Sequence, residues 1–194
     1  ATLEVHHKLV KYNTGQNILN FSFSYNNDTD IYGNISEQCE QLKCNFNHNK
    51  VYIIGITCNT MHLYFDYYRQ CMLLPNVILL NVIDITTNYL CKKRFMKIGL
   101  LSTEKTRDTD LFAKPLTKCG IDIIGLGKED GSQLETIIYK IKQNRHRDLD
   151  REKIISYINR YKQNGAKAII LGCSELPLII REKSINGVKI INPM

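Results

Sequence analysis

The sequence predicts an α/β protein built on parallel strands. Short apolar runs of strand length alternate along the chain with longer stretches of helical periodicity. Several runs, such as 77–80, are apolar at every position, which is typical of parallel strands that are buried on both faces. Because a parallel neighbour requires a crossover connection, this alternation indicates right-handed βαβ units with helices on both faces of the sheet.

Each predicted element follows from a local pattern. The predicted strands are the apolar runs at 51–56, 77–80, 97–101, 121–124, 167–171 and 188–191. The predicted helices lie at 1–11, 61–74, 84–95, 133–144 and 150–164, with a short helix after the fifth strand. Residues 102–106 are predicted to form a loop. Gly165 is predicted to end the last long helix, since glycine is the usual residue after a helix.

Charge and cysteine content exclude several classes of protein. The net charge is +7, but the densest basic cluster, Arg145 to Arg147, is followed at once by acidic residues. No nucleic-acid-binding motif accompanies it, so the expected partner is an anionic small molecule and not a nucleic acid. No apolar run approaches the ~18 residues of a membrane helix, and no secretory signal is found. Seven cysteines without a disulfide spacing indicate reduced thiols in the cytoplasm.

Two segments of the chain resemble each other. Each consists of an apolar run, a cysteine, polar residues and the start of a helix, at 53–61 and at 168–176. In a parallel sheet, ligands bind beyond the carboxyl ends of the strands, where Cys58 and Cys173 are expected to lie. We therefore predict two similar half-molecules that face each other, with one cysteine at the same place in each half.

The residues after these cysteines favour acid-base chemistry. Asn59 and Thr60 follow the first cysteine, and Ser174 and Glu175 follow the second. Such residues begin helices, whose free N–H groups lower the pKa of a thiol and bind carboxylates. Two such thiols on either side of one carboxylate form an acid and a base. Spacing alone leaves open that both are small buried apolar side chains, as we expect for the other five cysteines, which also lack the spacing of a zinc site.

Four motifs resemble those of the aspartate/glutamate racemase family and occur in the same order. The first cysteine motif, C-N-T-x-H after a strand, is at 58–62, and the second, G-C-S-E-L, is at 172–176. Between them lie a G-L-L-S-T-x-x-T loop at 99–106 and an I-Y-K-I-K segment at 138–142. The resemblance runs from about residue 50 to the end of the chain, and it is closest to the aspartate racemases.

This resemblance implies a cofactor-independent isomerase that interconverts L- and D-aspartate, or glutamate, without pyridoxal phosphate or metal. In the family, two similar α/β domains with parallel sheets, related by a pseudo-twofold axis, enclose the substrate in a cleft between them. The first domain corresponds to residues 1–92, without the N-terminal strand of the family, and residues 190–194 return to this domain. The second domain corresponds to residues 93–189. The family implies Cys58 and Cys173 as catalytic residues, a cytoplasmic homodimer and no membrane association. The implied substrate contacts are Asn27, Asn59, Thr60, Thr103, Thr106, Lys142, Ser174 and Glu175.

Three departures from the family pattern leave other functions open. Ser174 stands where threonine is usual, Lys105 stands where glycine is usual, and the segment 25–30 has no arginine to bind a side-chain carboxylate. One alternative is a related isomerase or decarboxylase that acts on another carboxylate, such as a hydantoin racemase or a maleate isomerase. Another is a catalytically silent protein of the same fold that binds an amino acid.

Overall fold

The structure, a computed structural model, describes residues 30–194. Contacts between Cα atoms divide these residues into two units. The large unit comprises 58–60 and 82–194, and the small unit comprises 30–57 and 61–81. The helix predicted at 1–11 lies outside the described residues.

The small unit is built on two parallel strands. β1 (Tyr52–Gly55) pairs with β2 (Val77–Leu80), and α1 (Ile31–Lys43) and α2 (Phe65–Cys71) pack with them around a common apolar core. Ile53 lies on the other face of the sheet and is 65% exposed. The prediction of a fully buried strand at 51–56 is therefore wrong, because within this unit only one face of the strand is packed.

The helices of the small unit differ from the predicted ones. α1 is an additional helix, and it begins after Asp30, whose carboxylate accepts a hydrogen bond from the backbone N–H of Gly33 at 2.8 Å. This is an ordinary N-cap, which satisfies one of the free N–H groups at a helix start. The helix predicted at 61–74 is instead a 3-10 turn at Thr60–Tyr64 followed by α2.

The large unit contains a five-stranded sheet with the order β4-β3-β5-β7-β6. All neighbouring strands are parallel except β6 and β7, which confirms the prediction of an α/β protein with parallel strands. The strands are β3 (Lys97–Leu101), β4 (Asp122–Ile124), β5 (Ala168–Leu171), β6 (Ser184–Ile185) and β7 (Val188–Ile191). The helices are α3 (Val82–Lys92), α4 (Glu104–Asp108), α5 (Ala113–Lys118), α6 (Lys128–Lys142) and α7 (Asp148–Gln163).

Helices cover both faces of this sheet, which is why its central strand β5 is apolar and buried at every position. On one face, Ile138 of α6 and Ile158 of α7 belong to an apolar core that includes residues of β3 and β5. On the other face, Leu90 of α3 and Leu116 of α5 belong to a second core, and both are fully buried. Residues buried on both faces leave no place for the polar alternation of a half-exposed strand.

Two of the predicted boundaries fail for identifiable reasons. α6 begins at Lys128 and not at 133, because acidic residues in its first turn stabilise the helix start. Gly131, which in the sequence favours a break in the helix, here lies inside it, against the Arg107 guanidinium. The predicted loop at 102–106 contains the start of α4, which Thr103 caps by accepting a hydrogen bond from the Thr106 N–H at 3.4 Å. Gly165 follows α7 with φ of +90°, so the predicted end of this helix is confirmed.

Replacing Gly99 with alanine is expected to lower the free energy of unfolding by about 1–3 kcal/mol, the usual cost of overpacking a core. A Cβ at Gly99 would lie 2.6 Å from the Tyr161 ring and 2.7 Å from the Ile169 side chain. Chemical denaturation measures the change. Gly125→Ala is the matched control, because no atom lies within 4 Å of its Cβ position. Equal stability losses in the two variants would contradict the prediction.

Candidate active site

Cys173 and Thr103 lie side by side at the carboxyl edge of the five-stranded sheet. Leu101 of β3 pairs with Leu171 of β5, and the Gly172 N–H donates to the Leu101 carbonyl at 2.7 Å. Thr103 and Cys173 each follow two residues after these paired leucines. Since neighbouring strands are about 4.8 Å apart, the backbones of the two residues emerge close together.

Three threonine hydroxyls meet at this edge and form what we call the threonine cluster: Thr60, Thr103 and Thr106. The Thr60 hydroxyl lies 2.9 Å from that of Thr106 and 3.5 Å from that of Thr103. The Thr103 hydroxyl donates to that of Thr106 at 3.0 Å. The cluster therefore brings the predicted Cys58-Asn59-Thr60 segment to the edge that carries Thr103 and Thr106.

The side chain of Asn59 is buried and has no hydrogen-bond partner among residues 30–194. The residue is only 2% exposed, and neither its Oδ1 nor its Nδ2 forms a hydrogen bond within the described part of the chain. Buried polar side chains nearly always have a partner, and an unpaired one costs about 1–3 kcal/mol. An amide in this state has both a donor and an acceptor available for a ligand.

Cys173 and Glu175 form a second polar group at the edge. The Cys173 thiol donates to Glu175 Oε2 at 2.9 Å, and the Ser174 hydroxyl donates to the same oxygen at 3.1 Å. Burial raises the pKa of the Cys173 thiol far above its usual value, and the Glu175 charge and hydrogen bond raise it further. The Glu175 backbone and the Lys142 charge act in the opposite direction but are weaker, so Cys173 is a neutral thiol at neutral pH.

The prediction that a helix start lowers the pKa of this thiol is wrong. The segment after Cys173 forms only a three-residue 3-10 turn, Leu176–Leu178, and Ser174 does not cap it. So short a turn has few aligned peptide dipoles, whereas the Cys173 side chain is buried and faces a carboxylate. Desolvation and the neighbouring charge decide the protonation state.

Lys142 is close enough to Cys173 for its ammonium to lower the pKa of that thiol. It is the last residue of α6, whose middle contacts α4, where Glu135 Oε2 accepts a hydrogen bond from the Glu104 N–H at 2.8 Å. Glu135 and Arg107, whose guanidinium donates to the Ser102 carbonyl, are not predicted from the sequence because neither belongs to a motif.

The two cysteines differ in exposure. Cys58 is exposed and Cys173 is buried, although the sequence predicts similar surroundings for both. Asn27, which the sequence analysis assigns to the substrate, lies outside the described residues.

A model of the Asp/Glu/hydantoin racemase family matches residues 24–194, most of the sequence. This chain belongs to that family. The assignment confirms the resemblance inferred from the four sequence motifs.

Solved structures of racemases share the fold. The chain is 25% identical to the Picrophilus torridus aspartate racemase, with a TM-score of 0.67, covering 84% of this chain and 64% of that one. It is 26% identical to a putative Asp/Glu racemase from Yersinia pestis, with a TM-score of 0.68, covering 84% and 68%. A glutamate racemase from Francisella tularensis, solved with D-glutamate, is 18% identical over 99% of this chain and 72% of that one, with a TM-score of 0.72, and shows the fold alone.

The match to the Picrophilus protein spans 64% of the length of that protein. A curated relative, an uncharacterized protein in the pnlA 3′ region of Pectobacterium carotovorum, is 29% identical over 107 residues, 54% of this chain and 69% of that protein. No helix within 30–194 is long and apolar enough to cross a membrane. In the same range, no three His, Cys, Asp or Glu side chains are grouped to hold a metal ion.

In this racemase-family chain, Glu175→Gln is expected to lower the pKa of the Cys173 thiol. The variant loses the negative charge and the charged acceptor that disfavour the thiolate, so thiolate forms at lower pH. The rate at which iodoacetamide alkylates Cys173, followed by peptide mass spectrometry, should therefore rise at lower pH than in the unmodified protein.

The control for this prediction is Glu152→Gln, which removes an exposed carboxylate of α7 that does not act on Cys173. Its alkylation profile should match that of the unmodified protein. A Glu175→Gln profile that stays in place, or moves to higher pH, would mean that Glu175 does not control the thiol.

Proposed function

We propose that this chain carries the catalytic residues of a cofactor-independent amino-acid racemase whose substrate is aspartate, with glutamate as the second choice. Cys58 and Cys173 are the two groups that transfer protons. Asn59 carries most of this proposal, because its buried amide has no partner among residues 30–194 and directly follows one of the two cysteines. Membership in the racemase family supports the reaction type.

The reaction needs a base on one face of the α-carbon and an acid on the other. Cys173 is a neutral thiol because of burial and Glu175, so it starts as the acid. Cys58 acts as the base and removes the α-proton, and Cys173 then delivers its own proton to the opposite face of the carbanion. Each cysteine ends in the protonation state in which the other began, so the reverse reaction uses the same two groups.

The substrate carboxylate is bound by neutral donors and by one charge. The Asn59 amide and the threonine cluster donate hydrogen bonds to it, and such bonds to a charged group are worth about 1.5–3 kcal/mol each. Lys142 adds a positive charge, which also stabilises the negative charge that develops when the α-proton leaves. Ser174 holds the Glu175 carboxylate beside the acid.

Aspartate is favoured because one solved structure, 25% identical to this chain, is named an aspartate racemase, and another, 26% identical, is named a putative Asp/Glu racemase. The net charge of +7 also suits a dicarboxylate. Asn27 belongs to the segment proposed to bind the side-chain carboxylate. By the same family resemblance, we propose two similar α/β domains, at 1–92 and 93–189. We also propose that the protein is a homodimer in the cytoplasm. Sedimentation velocity tests the oligomeric state.

The test is to incubate the protein with L- or D-aspartate in deuterated water. Chiral chromatography should show conversion of either enantiomer, and NMR should show deuterium at the α-carbon of the product. Glutamate is the comparison substrate. Aspartate binding in a calorimeter without α-proton exchange would instead identify a silent binding protein, and turnover of other carboxylates alone would identify a related isomerase or decarboxylase.

A further inference from the structure

Two cysteines outside the candidate active site lie next to each other in the large unit. Cys91 is half-buried near the end of α3, and Cys119 is exposed directly after α5. Cys119 lies near Cys91, because α3 and α5 pack against each other and lead into the paired strands β3 and β4, and the proximity of Cys119 is the largest cause that raises the pKa of the Cys91 thiol. The expectation that all five remaining cysteines are buried apolar side chains therefore fails here.

The packing of the helices fixes this proximity. α3 packs against α5. Leu90, which precedes Cys91, and Leu116, whose carbonyl accepts from the Cys119 N–H at 3.0 Å, are fully buried in the same core. A close-packed core leaves both backbones little freedom, so the two sulfur atoms stay near each other.

Positive charge surrounds the pair. Four exposed basic side chains lie beside the two cysteines in the sequence. Directly after Cys91 come Lys92, Lys93 and Arg94, and directly before Cys119 comes Lys118. None of them forms an ion pair with another of the residues 30–194. Such a cluster raises the local concentration of small anions.

We propose that Cys91 and Cys119 form an oxidisable thiol pair that reacts with a small anionic disulfide, of which oxidised glutathione is the probe. The exposed Cys119 thiolate attacks one sulfur of the disulfide, forms a mixed disulfide and releases one glutathione thiolate. Cys91, after losing its proton to solvent, attacks the Cys119 sulfur, forms the protein disulfide and releases the second glutathione. Two protein thiols are oxidised and one disulfide is reduced to two thiols.

The protein disulfide would close a loop of the chain that contains β3 and α4. This loop carries Thr103 and Thr106, two members of the threonine cluster. A crosslink of this kind restricts the unfolded chain and so raises the melting temperature. The pair does not depend on the proposed racemase activity, since neither cysteine touches the cluster residues in any contact described above.

The test is to equilibrate the full chain with oxidised and reduced glutathione, trap free thiols with an alkylating agent at low pH, and map the linked peptides without reduction. Cleavage after Tyr89 or Leu90 by chymotrypsin separates Cys91 from Cys71. We expect a Cys91–Cys119 linked peptide, lighter by two hydrogens than the sum of the reduced peptides. Its rate of formation should fall as salt is added, because salt screens the surrounding cations.

Three variants make the result decisive. Cys119→Ser should abolish the link, and Cys91→Ser should instead accumulate glutathione on Cys119, because the second step is lost. Cys44→Ser removes an exposed cysteine of the small unit and should leave the link unchanged. If the unmodified protein retains glutathione on Cys119 without the link, or links either residue to another cysteine, the proposal is overturned.

Discussion

Replacing Cys58 or Cys173 with serine is expected to reduce the interconversion of L- and D-aspartate by roughly 10²–10⁴-fold, the usual contribution of a general acid or base. A serine hydroxyl is too weak an acid and its conjugate base too rarely formed to replace a thiol in either role. The measurement is the steady-state rate of inversion by chiral chromatography, starting from each enantiomer.

Isotope exchange gives this experiment a sharper readout. The Cys173→Ser variant keeps Cys58, the proposed base, which can still remove the α-proton of one enantiomer and return a solvent deuteron to the same face. This variant should therefore exchange the α-proton of that enantiomer without inversion, whereas Cys58→Ser keeps only the neutral Cys173 thiol and should exchange far more slowly at neutral pH.

Cys44→Ser is the control for both variants, because Cys44 is an exposed cysteine of the small unit outside the proposed site. Its rate should equal that of the unmodified protein. Inversion at an undiminished rate in both site variants would rule out the two-cysteine mechanism, whereas loss in only one would point to a single-cysteine reaction such as decarboxylation.

Asn59→Leu is expected to have opposite effects on activity and on stability. The variant cannot hydrogen-bond the substrate carboxylate, so kcat/KM should fall by roughly 10–150-fold, which corresponds to about 1.5–3 kcal/mol. The free protein should gain about 1 kcal/mol or remain unchanged, because an unpaired buried amide is replaced by an apolar side chain of similar size. Kinetics and chemical denaturation of the same preparation measure both.

Thr87→Val is the matched control, since the Thr87 hydroxyl is also buried without a partner within 30–194 but lies in α3, outside the proposed site. Stability should again rise slightly, while kcat/KM should stay unchanged. A stability loss in Asn59→Leu with unaltered kinetics would show that the Asn59 amide stabilises the fold and does not bind the substrate.

The sequence predicts strands best where burial leaves no alternative. The bounds of β3 and β7 match their predicted runs, in which every residue except Lys97 and Lys189 is buried. β2 also has the predicted bounds, although Ile78 and Leu80 are exposed. The sequence predicts less well where tertiary contacts override local preference. The start of α6 passes through Gly131, which would weaken an isolated helix but here allows the Arg107 side chain to approach.

The candidate site shows the same division. The motifs alone point to both cysteine segments and the threonines, and the structure brings the Thr60 hydroxyl to those of Thr103 and Thr106. Glu135 and Arg107 could not be found from the sequence, since their partners are backbone groups that only the folded chain brings near.

The sequence by itself determined the family, the parallel α/β architecture of the large unit and the positions of Cys58 and Cys173 after strands. Those properties follow from apolar runs and short motifs, which are local. Tertiary structure alone decided the protonation state of Cys173 and the lack of a partner for Asn59. A pKa and an unpaired amide depend on what surrounds a group in space, and residues distant in sequence supply most of those surroundings.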